Sequence, residues 1–415
     1  MECKRKLRLN LLWIAKGAAV VAATAGVALA GLVMWGQHRG EARTTEARQH
    51  VAAIEATLER RSEQLASRQV LWGEPEAGSA FERYEYALSL AGAGRYEGGD
   101  LWAFRRDPDF PPEKAERMRR KWWPAIAAMR QGARRTDSRK PFDATNLEGS
   151  ATSLLTARDL VNMAVVQSRE TLEQGSPLEA ARISLDAMTF SLDLLRSPLL
   201  VDQMVGVALV GIVAMEAWPE ERLRQLDPRS LEELAVGLER LDSMMPAGAR
   251  LEAEVLLLAA HLDHQLESLE SLDPGSASDL LAYGWSKQFM LAEAVCDLST
   301  MVDRTQTSQG NAWPTHSEEL EDLASEALSS GNSFLNDCCP SLKPIESSFV
   351  AVNAHLRVLR LAVAVHQRGV DEALERPILD PVTAKPLIVE RSTESITIRS
   401  IWDRSERTIA LPLGR

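Results

Sequence analysis

The sequence predicts a mainly α-helical protein: an irregular array of helical hairpins, preceded by one transmembrane helix and closed by a small antiparallel β meander. Three observations lead there. Apolar residues make up 45% of the 415 residues and aromatics only 5%, the composition of an Ala/Leu interior and not of a β-rich one. Apolar positions recur at steps of three and four through most of the chain. After Gly369 that period gives way to short β-branched runs at Leu387–Val389, Ile396–Ile401 and Ile409–Leu411.

Residues 17–35, GAAVVAATAGVALAGLVMW, are 19 uncharged residues. As a helix they extend about 29 Å, close to the hydrocarbon thickness of a bilayer. Lys4, Arg5, Lys6 and Arg8 stand before the run against the single acid Glu2, a bias that keeps the N-terminus cytoplasmic. Ala28-Leu29-Ala30 also has the small-x-small form of a signal-peptidase site. The apolar run continues past it to Trp35, which favours a retained anchor. The expected layout is a basic flank (1–10), a signal-anchor helix (11–36), a stalk helix (41–72), a helical domain (79–368) and a β tail (369–415). The expected address is the bacterial inner membrane, with the membrane as partner through residues 17–35 and the C-terminal domain periplasmic. Net charge is −12, and residues 1–40 are basic, so the exported part is strongly acidic and nucleic acid is excluded as a partner.

In the stalk, Val51, Ile54, Leu58 and Leu65 fall at helical spacing. Such a helix serves either a homodimer, as a short coiled coil, or packing against the body of its own chain. Arg61 or Ser62 in the seam position between Leu58 and Leu65 favours the second. Residues 105–140 hold twelve Lys/Arg against five acids. Arg117, Arg120, Lys121 and Arg130, interleaved with Trp102, Trp122 and Trp123, form a candidate basic and aromatic surface for an anionic glycan, lipid headgroup or acidic partner. The same spacing suits an ordinary helix face whose cations pair with the chain's own acids.

Residues 153–197 read as a helical hairpin, the unit of tetratricopeptide-like arrays, though without the strict repeat. Gly175 stops the first helix, and Ser176, Pro177 and Glu179 form a capping box for the second. Met204–Met215 is twelve consecutive apolar residues, read as a helix buried on all sides, with Gly206 and Gly211 allowing close approach of neighbours. Asp227-Pro228 opens a helix with Leu231, Leu234, Leu238 and Leu241 inside. Beyond it, Glu254, His261 and His264 share a helix face and form a candidate metal trio, although histidines on a polar face are commonly solvated. Cys296 on the next helix is expected to bridge to Cys338 or Cys339, which as neighbours do not readily bridge each other. Residues 303–344 are rich in Ser, Thr, Asn and Gly, with one short helix begun by Thr315 and Glu318. A last helix, Ser347–Arg368, is apolar on most sides and should carry the β tail.

The tail ILDPVTAKPLIVE resembles the ending of a group of uncharacterised single-pass envelope proteins of myxobacteria and planctomycetes, where DPFTGKPL precedes short strands. IAAMRQGARR (126–135), EQGSPLEAAR and LLVDQMVGVAL carry the resemblance across most of the exported chain. Ala384 departs from the pattern, where glycine is usual, and the glycine- and aspartate-rich final turn is missing. The resemblance implies an anchored helical body with a β tail and no particular activity. No GxSxG elbow, HExxH, P-loop or cofactor motif is present. The expected function is therefore non-enzymatic binding or scaffolding of an unidentified envelope protein. Two alternatives stay open: an adaptor of a secretion or pilus-type machine, and an enzyme whose acids and histidines meet only in the fold.

Overall fold

The computed structural model describes residues 38–92, 103–104, 110–142, 154–270, 285–329, 342–402 and 405–410. The apolar run 17–35 lies outside them. Helix α1 (38–65) lies along the body: Ala47, Ile54 and Leu65 are buried, and Val51 and Leu58 pack partly buried on the same core. Arg61, the charge in the seam, forms an ion pair with buried Glu252. The stalk is thus a wall of the body, and its apolar stripe faces its own chain.

Two strands follow that the sequence did not predict, because they are three or four polar residues long. β1 (Glu76–Ser79) pairs in parallel with β2 (Arg135–Asp137), with Glu76 opposite Arg135 and Ser79 opposite Asp137. Between them α2 (Ala80–Gly92) packs on α3 (Pro112–Ala133). Gly132 permits this closeness, since a Cβ there would stand 2.4 Å from the Tyr84 ring.

The predicted hairpin is present as α4 (Leu154–Glu173) and α5 (Pro177–Leu195), with Gly175 at φ +78 between them. The capping box does not form. Ser176 makes no side-chain cap, and Glu179 pairs at 2.7 Å with Arg130 of α3. α5 is the central helix: α3, α4, α6 (Leu200–Glu216) and α8 (Pro228–Met244) all pack on it. Every residue from Ala180 to Leu195 except Arg182 is buried, Asp186 and Asp193 included.

α6 corrects one expectation. It is covered by α4, α5 and α12 (Leu342–Arg368), and the uncovered side leaves a strip of Val201, Ala208 and Met215 exposed at intervals of seven. The polar residues just before the apolar run, Asp202 and Gln203, are fully buried. They are tolerated because each is bonded: Asp202 to Lys140 and Ser197, Gln203 to the backbone of Arg250. Gly206 does sit on a neighbour, as a Cβ there would meet the Leu195 nitrogen at 2.3 Å, whereas Gly211 has nothing within 4 Å.

After the short α7 (Glu220–Leu223), Asp227 caps α8 by accepting the Ser230 N–H at 2.7 Å, and the four predicted leucines are buried. α9 (Glu252–Glu270), α10 (Trp285–Ser308) and α11 (Trp313–Ser329) complete the array. α11 begins before the predicted Thr315 cap, with Pro314 in its first turn. There the Trp313 N–H donates to the Val382 carbonyl at 2.9 Å and the indole meets Trp402 edge to face at 5.5 Å. α12 spans 27 residues, its most apolar 18-residue stretch has a mean hydropathy of 1.4, and among the described helices it alone has membrane length and apolarity. With 72% of that stretch buried inside the fold, it is a core helix here. α13 (Val370–Glu375) leads to the meander of β3 (Ile388–Arg391), β4 (Ser395–Arg399) and β5 (Glu406–Ala410), antiparallel in that order. As predicted, the sheet lies on α12, with Ile396, Ile398 and Ile409 buried.

Candidate anion-binding cleft

Five separated parts of the chain, among them Ser79 at the end of β1, line a cavity of about 480 Å³. α1 supplies one wall with Leu58 and Leu65, and the segment after β2 supplies another with Pro141 and Phe142. The turn between α5 and α6 and the residue preceding Leu251 complete the lining. Five cationic side chains line it, Arg61, Arg139, Lys140, Arg196 and Arg250, against two acids, Glu59 and Asp137. This is a concentration of positive charge in a chain of net charge −12.

Three of the five have carboxylate partners. Arg61 pairs with Glu252, Arg139 with Asp137 at 2.6 Å, and Lys140 with Asp202. The other two differ. Arg196 Nη1 is buried without a hydrogen-bond partner, and the guanidinium of Arg250 makes no hydrogen bond or ion pair among the described residues. Burial, then repulsion from Arg61 and Arg196, pushes Arg250 down to about 10. Burial likewise lowers Arg196, with Arg68 acting in the same sense against Asp193. A carboxylate or phosphate reaching both would reverse these shifts.

Both guanidiniums are carried on fixed backbone. Arg196 is the C-cap of α5, its N–H bonded to the Leu192 carbonyl at 2.9 Å, where a cation also favours the helix dipole. Gln203 clamps the backbone of Arg250, donating to its carbonyl at 2.7 Å and accepting its N–H at 2.8 Å. Behind the cleft, Arg68 forms a buried ion pair with Asp193 and donates at 2.8 Å to the carbonyls of Gly132, Ala133 and Arg135, while Tyr84 donates to Asp193 at 2.6 Å. Trp72 is held the same way: its N–H donates to Asp186 at 2.8 Å, and the guanidiniums of Arg134 and Arg182 lie 4.3 and 4.6 Å over its ring.

The residues singled out by sequence are distributed otherwise. Trp122 is in the core, Trp123 half-buried, and Arg130 turns inward to Asp186 at 2.7 Å and to Glu179. Arg117 and Arg120 are exposed, Lys121 is half-buried, and Trp102 lies outside the described residues. The basic and aromatic surface is therefore not assembled, because the amphipathic face of α3 takes its indole and its best-placed arginine inside. The metal trio does not converge either. His261 and His264 are exposed on α9, whereas Glu254 accepts the N–H of Leu200 at 2.9 Å and leaves its second oxygen buried and unpartnered. Burial foremost, with Glu252 and Asp202 adding to it, pushes Glu254 up to about 7. Cys296 is a buried free thiol, and Cys338 and Cys339, its expected bridge partners, lie outside the described residues. Arg196 and Arg250 went unnoticed in the sequence, where each is an isolated arginine beside a turn. The one signal pointing at the cleft floor was Asp202-Gln203 inside an otherwise apolar run.

No family model matches this chain, nor does any curated protein or solved structure. The chemistry of the cleft therefore rests on its own geometry. Two guanidiniums that form no ion pair among the described residues, apolar side walls and further cations suit an anionic head joined to an apolar body.

Proposed function

We propose that this chain is a membrane-anchored, non-enzymatic binding protein of the bacterial cell envelope, whose cleft takes an amphiphilic carboxylate or phosphate. The observation that carries the reading is the pair Arg196 and Arg250. A guanidinium withdrawn from water without a partner destabilises the fold, and an arriving anion offsets that cost. The lining of Arg, Lys, Asp, Glu, Ser and apolar residues holds no histidine or cysteine, which supports binding over turnover. The anchor at residues 17–35, the periplasmic placement of the body, the tetratricopeptide-like character of the hairpins and the kinship with DPFTGKPL-tailed envelope proteins belong to the same proposal. They are supported by the charge bias of the N-terminus, the run length and the sequence resemblance.

The test is calorimetric titration of the full chain with phenyl phosphate, hexanoate and inorganic phosphate, for wild type, Arg196→Gln and Arg250→Gln. Each substitution should leave the ligand-free protein as stable as wild type or more so, and weaken binding of the organic anions about tenfold or more. Variants that melt lower yet bind as wild type would make both arginines structural and end the reading.

A further inference from the structure

Where α1 meets α10, three side chains present donor atoms that suit one kind of ion. Glu46 and His50 are four residues apart on α1 and so lie on one side of it. Cys296 on α10 faces them, at 3% exposure. A carboxylate oxygen, an imidazole nitrogen and the thiol sulfur of the three all lie within 4.8 Å of one another. Donors on a single tetrahedral zinc, each about 2.0–2.3 Å from the ion, stand roughly 3.5 Å apart. Small side-chain rotations close the remaining gap.

The local charge agrees. Glu46, Asp297 and Glu293 act on the Cys296 thiol with negative charge, and Arg43 acts on it with positive charge. Arg43 reaches Glu46 at 2.6 Å and Asp297 at 3.6 Å. Three carboxylates against one guanidinium leave an excess of negative charge beside the thiol, which a divalent cation cancels. Ser299 Oγ stands 3.1 Å from His50 Nδ1. A hydrogen bond of this kind orients metal-bound imidazoles in general.

We propose that Glu46, His50 and Cys296 bind a divalent metal ion of the zinc class, with solvent as fourth ligand, and that the ion clasps α1 to α10. Thiolate, imidazole and carboxylate together select zinc over magnesium or calcium, which take oxygen donors. On binding, the Cys296 S–H bond breaks, its proton passes to solvent, and the sulfur electron pair bonds the metal. A thiolate so bound is withheld from a disulfide with Cys338 or Cys339. The clasp is independent of the cleft, although both involve α1.

Cobalt(II) reports on such a site. In the full-length, reduced chain with Cys3, Cys338 and Cys339 replaced by serine, titration should give one equivalent bound, with a thiolate-to-cobalt charge-transfer band that zinc(II) abolishes. Cys296→Ser should remove the band, and Ser299→Ala, which only loosens the ring, should weaken binding by about 10-fold to 100-fold. In the wild-type chain, zinc(II) should also protect Cys296 from alkylation and slow hydrogen exchange in α1 and α10. A chain without a charge-transfer band, Cys296→Ser binding as before, or a wild-type thiol alkylated equally with and without zinc would each overturn the proposal.

Discussion

Ala384 is the one non-glycine residue at positive φ, +55, among the described residues. It closes the turn built by Asp380, whose N–H donates to the Lys385 carbonyl at 2.6 Å and whose carbonyl accepts the Ala384 N–H at 2.9 Å. The Asp380 carboxylate accepts the N–H groups of Val382 at 2.7 Å and Ile401 at 2.8 Å, so this buried acid is a structural brace. A side chain in the left-handed region costs about 1 kcal/mol, and Ala384→Gly should return about that much in denaturant unfolding. A loss of stability would show that the methyl group has a packing role instead. Glu254 makes a second, pH-dependent prediction. Its folded-state value is raised from 4.5 to about 7, so over that interval the folded protein holds a proton that the unfolded chain has released. Stability therefore falls as pH rises through the window. Glu254→Gln keeps an oxygen for the Leu200 N–H and cannot ionise, so calorimetry from pH 4.5 to 7 should give a flatter curve and a higher Tm than wild type at pH 7. A variant with the wild-type slope would locate the titration elsewhere.

At the scale of elements, the β tail and α12 complete each other. Three short strands are too few to stand alone, and Ile396, Ile398 and Ile409 go to 0–3% exposure against the helix, each contributing about 2 kcal/mol. Arg407 adds bonds to the carbonyls of Ala214 and Trp218 beyond the sheet. Deleting residues 380–415 should lower the melting temperature of the whole body and open α12 to proteolysis. An unchanged melt would make the tail a separate module. Elements of this kind were legible in advance: the α4–α5 hairpin, the leucine face of α8, the buried α12 and the meander all announce themselves through local periodicity. What periodicity cannot show is which face of an apolar helix stays uncovered, as on α6, or which charge turns inward, as with Arg130. β1 and β2 escaped because a pair of very short polar strands carries no alternation to read. The cleft escaped for a further reason. Its residues, from Leu58 to Arg250, come from separated segments, and the two decisive arginines are defined by the partners they lack.

For the molecule as a whole, the sequence placed a boundary near residue 72, with a stalk before it and the body after it. The fold does not respect that boundary. Arg61 pairs with Glu252, Arg68 with Asp193, and Trp72 donates to Asp186, so three residues ahead of the Gly73 and Pro75 punctuation serve three buried acids behind it. This bears on how the chain can be shortened. A version begun at the glycine and proline stretch would strip each of those acids of one partner inside the protein, and loss of the buried Arg68–Asp193 pair alone would cost about 3–5 kcal/mol. It would also remove one side of the cationic cleft and both α1 donors of the metal clasp. Trimming that is to leave a folded and testable protein has to spare the helix 38–65, which belongs to the body.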